Sequence, residues 1–326
     1  MKKLFFLLAC VAMSVLSMAQ VNQLVWANGR LLYGTPIESI DSLTYDEMQD
    51  IDTLHLLLPR TLIKVVHDTV YIHDTVYIET DCGEDTPSAG IGTFSVSPDK
   101  QVTFSQGNLQ YHPKNNEWRF AENQSDYIGN ANSNIAADYD GWIDLFGWGT
   151  GDAPTKSSTS YSDYSTFVDW GTNKIGNDAP NTWRTLTSEE WSYLRYNRTN
   201  ADDLVGVAQV NGVNGLILLP DNWSCPAGIT FKSGFHSEWG VDYYAAYQTF
   251  TAGQWSKLEA AGAVFLPTAG CRNGSDVGNV QESGIYWSAT ELNIIDVYSC
   301  NFYSGGTYIS YTTRAYGYSV RLVKDL

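Results

Sequence analysis

Apolar and polar positions alternate between residues 65 and 78. VVHDTVYIHDTVYI puts Val66, Val70, Ile72, Val76 and Ile78 on one side of an extended chain, and His67, Thr69, Tyr71, His73, Thr75 and Tyr77 on the other. The hexad His-Asp-Thr-Val-Tyr-Ile occurs twice, and its even period keeps every side chain on its own face. The pattern predicts an extended, strand-like stalk over residues 61–80, about 65 Å long when fully stretched. Two copies are too few for a solenoid. An unpaired strand of this kind is an edge open to pairing with the chain's own N-terminal hairpin or with another chain. His67 and His73 share a face but lack a third ligand nearby, so no metal is predicted.

The other periodicities are shorter. Residues 20–60 form a small β-rich segment in which two runs flank Asn28-Gly29, a hairpin signal. The turn-rich, acidic stretch DCGEDTPSAGIG, residues 81–92, reads as a linker. Residues 93–326 then read as one α+β unit with few helices. Thr187-Ser188-Glu189-Glu190 predicts a capping box with Trp191 and Leu194 on one face, the paired acids sitting in the first turn where the helix dipole favours them. Thr251-Ala252-Gly253-Gln254 predicts a second box, with Trp255 and Leu258 inward and Gly262 as the stop. VGVAQVNGVNGLILLP, residues 205–220, predicts a hairpin turning within Asn211–Gly215. Near the end, Val320 and Leu322 alternate with Ser319 and Arg321 as in a half-buried strand. By the same parity, if Phe302 faces inward then Cys300 and Tyr298 do too, which leaves Ser299, Asn301 and Tyr303 outward.

Composition adds a compartment. MKKLFFLLACVAMSVLSMA, residues 1–19, has the charged start, apolar run and small-residue end of an export signal, with Cys10 too early for a lipid anchor. No stretch is predicted to span a membrane. The expected location is extracellular or on the outer cell surface, or else periplasmic. A net charge of −17 argues against nucleic acid as a partner, because phosphate binding needs basic patches. Cysteines left after cleavage are Cys82, Cys225, Cys271 and Cys300; Cys225 with Cys271 is the candidate disulfide, and no spacing matches a zinc or redox site.

Five stretches, taken in order, carry a family resemblance: WRTLTSEEW (183–191), LILLPDNW (216–223), GAVFLPTAGCRNG (262–274), GIYWSAT (284–290) and AYGYSVRLVKD (315–325). They resemble the Fibrobacter succinogenes major paralogous domain, which is similar to the C-type-lectin and formylglycine-generating-enzyme fold. The resemblance implies a C-type-lectin-like domain over 93–326 and a place on the surface of Bacteroides-type bacteria, whose surface proteins often carry leaders like residues 27–45 and the HDTVY repeat. It implies no activity. The close cysteine pair of a formylglycine-generating enzyme is missing, as are the Glu-Pro-Asn, Gln-Pro-Asp and Trp-Asn-Asp motifs of calcium-dependent lectins. The five histidines and the lack of a Gly-x-Ser-x-Gly elbow leave no hydrolytic triad. No enzyme, cofactor or metal is expected.

The last strong signal is a gap. Leu292 to Val323 contains no Trp, Gln, Met, Lys or Glu, where average use predicts about five. Strand composition alone accounts for much of this, since Lys and Glu are depleted in strands. The missing types are also those that codons ending in a pyrimidine cannot encode. In this the stretch resembles the variable C-terminal patch of diversity-generating retroelement targets. The expected ligand-binding face comprises Asn293, Ile294, Ile295, Asp296, Ser299, Asn301, Tyr303, Tyr308, Ser310, Tyr311, Thr313 and Tyr316, a Tyr/Ser/Asn set suited to recognition. The expected partner is a glycan or a host or bacterial surface protein, as for an adhesin. The alternative is a fimbria-like assembly component self-associating through residues 61–80. Ser42, Thr53, Thr69 and Thr75 lie in Asp-Ser/Thr-apolar triplets that resemble O-glycosylation signals of the same bacteria.

Overall fold

The computed structural model describes residues 92–326 and the backbone of four earlier strands, Asn22–Ala27, Arg30–Pro36, Ile63–Val66 and Thr69–Ile72. The chain divides into two units, Met1–Glu84 and Asp85–Leu326. In the first, Asn22–Ala27 pairs antiparallel with Arg30–Pro36, Ala27 facing Arg30, so the connection is the two residues Asn28 and Gly29. Ile63–Val66 pairs antiparallel with Thr69–Ile72, Val66 facing Thr69. The extended stalk expected over 61–80 is therefore corrected for Ile63–Val66 and Thr69–Ile72, which pair with each other. Pairing supplies the backbone N–H and C=O partners that a lone strand lacks. The export signal, Cys82 and the candidate glycosylation residues Ser42, Thr53 and Thr75 lie outside the described residues.

The second unit is α+β, mostly strand with a few short helices. Phe94–Ser97, Lys100–Phe104 and Val323–Asp325 form one sheet, so the unit's two ends lie side by side, Val323 facing Phe104. A four-stranded sheet is ordered Thr249–Phe250, Val205–Val210, Val213–Leu218, Val264–Pro267. Both its faces are covered: Val205, Val207, Leu216 and Leu218 enter one apolar cluster, and Ala208, Val210, Ile217 and Phe265 another. That burial explains the unbroken apolar run of LILLP. The turn between its central strands is Asn211-Gly212, both with positive φ (48° and 82°), which selects these two residues.

Both predicted capping boxes are present. Thr187 and Glu190 exchange bonds at the start of helix Ser188–Ser192, and Thr251 and Gln254 at the start of Ala252–Ala260. Trp191, Leu194, Trp255 and Leu258 are buried as their spacing predicts. The second helix ends where the Gly262 N–H bonds the Glu259 carbonyl at 2.8 Å.

Buried arginines tie the irregular segments to the sheets. Arg272 donates to the carbonyls of Leu145, Gly274 and Lys156, while Arg198 donates to those of Leu204 and Leu219. Arg321 donates to the Gln106 carbonyl and to Gln124 Oε1. The half-buried strand expected at 319–322 is corrected here: Ser319 and Arg321 are as buried as Val320 and Leu322, because both sides of this segment are covered. The Cys225–Cys271 disulfide is likewise corrected. Both thiols are free, Cys225 exposed and facing the Ile229 carbonyl, Cys271 half-buried beside Asn279.

Candidate functional site

The closing stretch folds into an antiparallel sheet of Ser283–Glu291, Asp296–Tyr303 and Gly306–Thr313, in that order. The central strand is eight residues long, so its ends lie about 24 Å apart. Asp296 faces Thr313 at one end, and Tyr303 faces Gly306 at the other. The twelve residues expected to form one binding face are therefore distributed over two ends and two faces.

At the first end lies the loop joining Ser283–Glu291 to Asp296–Tyr303. Asn293 Oδ1 accepts the N–H groups of Ile295 (2.8 Å) and Asp296 (2.9 Å), the turn that short amide side chains favour. Arg314, buried over the Trp148 ring, donates to the Asn293 carbonyl and to Glu291 Oε1 at 2.8 Å. Ile294, 74% exposed, thus stands on a loop fixed from beneath, with Leu292 and Ile295 beside it. Tyr311 and Thr313 belong to this end of the sheet.

Ser299 and Asn301 are buried, which corrects their expected exposure. Ser299 sits between Trp287 and Ser310, and Asn301 between Ile285 and Tyr308. Val297 and Trp287 pack in a core cluster on this side, while Cys300 and Phe302 pack in another on the opposite side, so the central strand has no free face. The Asn301 amide is turned inward, onto Ser299 Oγ at 3.0 Å. Tyr316 is half-buried against Tyr318.

At the other end an aromatic group forms that the sequence pattern did not single out. Trp239, 70% exposed, rests against Tyr303 with ring centres 4.6 Å apart, and Tyr303 meets Tyr308 at 5.7 Å. Ser304 anchors the Trp239 loop. Its hydroxyl donates to the Glu238 carbonyl (3.0 Å) and accepts the Gly240 N–H (3.0 Å), and its carbonyl accepts the His236 N–H (2.8 Å). His236 Nδ1 accepts the Glu238 N–H, and its ring stacks on Tyr243 at 4.5 Å. Tyr196, also exposed, joins the edge by donating its hydroxyl to the Thr307 carbonyl at 2.9 Å. Partial burial, then the neighbouring Tyr303, raises the Tyr308 phenol above its ordinary value, so it presents a neutral hydroxyl. The sequence did carry a signal for Trp239. In Ser237-Glu238-Trp239-Gly240 an indole stands in a polar run, off any apolar period.

This arrangement offers ring faces, hydroxyls and fixed apolar tips for contact. Among the described residues no group of three or more His, Cys, Asp or Glu is placed to hold a metal ion, and no helix is long and apolar enough to cross a membrane.

A family model described as a domain of unknown function, DUF8237, matches residues 252–323. The match takes in the three-stranded sheet with Ser304 and Gly305 but stops short of Trp239. No curated protein and no solved structure matches the chain.

Proposed function

We propose that this is an exported cell-surface protein whose C-terminal unit, residues 93–326, takes a C-type-lectin-like fold and binds a glycan or protein ligand through its closing sheet. The observation that carries this reading is Trp239, a mostly exposed indole held in one position by Ser304 and Tyr303. A large ring fixed before contact loses little entropy on binding, and such rings dominate recognition energies. Among the solvent-facing members of the stretch lacking long charged residues are Ile294, Tyr308 and Tyr311. Change at these three is tolerable to the fold, as a diversified patch requires, whereas Ser299 and Asn301 carry packing. The reading is of a recognition module, not an enzyme.

The test is a binding screen of the mature chain against glycan arrays and epithelial-surface proteins, beside Trp239→Ala and Ile294→Asp/Tyr311→Ala. Loss of binding in folded Trp239→Ala supports the aromatic end as the site, and loss only in the second variant moves the site to the 292–295 end. A mature chain that binds nothing refutes the reading.

Assembly through strand pairing is a second reading, favoured by the position of Gly306–Thr313. It is the outer strand of its sheet, and such an edge is a template for another strand. The self-association expected through residues 61–80 belongs to this reading. Sedimentation of the mature chain at rising concentration tests it: a monomer throughout removes it.

A further inference from the structure

A groove of about 650 Å³ lies apart from the closing sheet, lined among others by Gln110, Arg119, Glu122, Asp126, Ile128 and Val280. Its size is that of small-molecule pockets. Arg119 and Gln110 face each other across the antiparallel pair Leu109–His112 and Glu117–Phe120. Arg119 Nε donates to Gln110 Oε1 at 2.8 Å, and the guanidinium lies 3.8 Å over the Trp142 ring. Gln110 is buried, so the arginine is oriented by an amide and an indole instead of a carboxylate. Its two Nη atoms make no hydrogen bond or ion pair with the described residues, although the chain carries a net charge of −17 and the groove holds two carboxylates. A guanidinium held flat with its outer edge open is a receptor for a planar two-oxygen anion.

The Tyr127–Gly129 part of the lining is held by hydrogen bonds. The Ile128 N–H donates to Asp144 at 2.9 Å, and Asn132, buried, donates to the Gly129 carbonyl (2.9 Å) and to Asp144 (2.7 Å). Gln281 Nε2 fixes the Tyr127 hydroxyl at 2.8 Å. Glu122 and Asp126 line the same groove as Arg119, Asp126 Oδ2 already accepting from the Asn123 N–H and amide at 3.0 Å, so donors and acceptors share its walls, the mixture that hydroxyl groups need because each both donates and accepts. Ile128 and Val280 supply apolar surface for a C–H face.

From this we infer that the groove binds a saccharide bearing a carboxylate, with Arg119 pairing to the carboxylate and Glu122 and Asp126 accepting from ring hydroxyls. The site is separate from the aromatic end and does not depend on it. The experiment uses the mature chain with D-glucuronic acid, D-galacturonic acid, N-acetylneuraminic acid and D-glucose as probes, followed by saturation-transfer NMR and calorimetry. At least one acidic sugar is expected to bind at least tenfold more tightly than glucose. Arg119→Lys, which keeps the charge but loses the two-pronged edge, is expected to lose at least tenfold of that affinity with an unchanged near-UV spectrum. Lys324→Ala, which removes an exposed cation outside both sites, is expected to bind these sugars as the parent does. No binding of any acidic sugar, equal binding of glucose, or full affinity in Arg119→Lys each overturns the inference.

Discussion

Trp239 occupies the space that a side chain at residue 305 would need: a methyl group on Gly305 would lie 2.1 Å from the indole Cδ1. The ring is therefore seated by a missing side chain on one flank and by Tyr303 on the other. Gly305→Ala is expected to unseat it, seen as a change in tryptophan emission and at least a tenfold loss of ligand affinity. Trp239→Ala removes an exposed ring, so stability should change by no more than about 0.5 kcal/mol while binding is lost. A Gly305→Ala protein with parental emission and affinity would show that the seat is not tight.

The pH dependence of stability has two opposed parts. Burial lifts the Asp144 carboxyl to about 6, against bonds from Asn132 and the Ile128 N–H that favour its charged form. An acid raised in the folded state binds its proton more tightly there, so stability falls as pH rises from about 4 to about 6 and is level above. The effect is on the order of 2 kcal/mol. Urea midpoints should therefore be higher near pH 5 than near pH 7.5. Asp144→Asn should flatten that slope whatever its own stability, and an unchanged slope in the variant would remove Asp144 as the cause.

Glu190 and Asp325 act in the other direction. Side-chain bonds from Arg184 lower the Asp325 carboxyl, and the same arginine, with the Thr187 N–H and Lys100, lowers Glu190 against its burial. Stability from these groups is present above their unfolded values and is lost as pH falls below about 4.

Glu190 does two things at once, completing the capping box and pairing with Arg184 at 2.7 Å and 2.8 Å. Glu190→Ala is expected to cost about 2–3 kcal/mol by denaturant unfolding. Glu190→Gln keeps the reach to the Thr187 N–H and should cost less than half of that. A double-mutant cycle with Arg184→Met isolates the pair; no coupling would assign the whole effect to the cap.

The free thiols differ in reach. Cys300 lies in the core, where burial pushes its thiol up to about 12, while Cys225 is exposed. Iodoacetamide on the native protein should label the Cys225 peptide within minutes and the Cys300 peptide only after unfolding. Early labelling of Cys300 would mean that the closing sheet opens. Protection of Cys225, relieved by a reductant, would restore the disulfide.

Local rules made part of this protein legible in advance. Capping residues at Thr187 and Thr251, the Asn211-Gly212 turn and the inward Trp191, Leu194, Trp255 and Leu258 follow from interactions within a few residues along the chain, which one sequence displays in full. The composition of 292–323 likewise drew attention to the closing sheet. Which of its residues reach solvent was a tertiary matter. Alternation at 297–303 shows that two faces exist but not that both are covered, and packing on each side buries Ser299 and Asn301 as well as Cys300 and Phe302. Arg321, Arg314 and Arg272 look like surface charges in sequence, yet they lie inside because the carbonyls they bond, up to some two hundred residues away, are brought there only by the fold. Trp239 depends in the same way on Ser304 and Gly305, sixty-five residues on. The polar run around it marks a surface position, but the seat that fixes the ring is decided by which distant backbone comes near, and no local pattern encodes that.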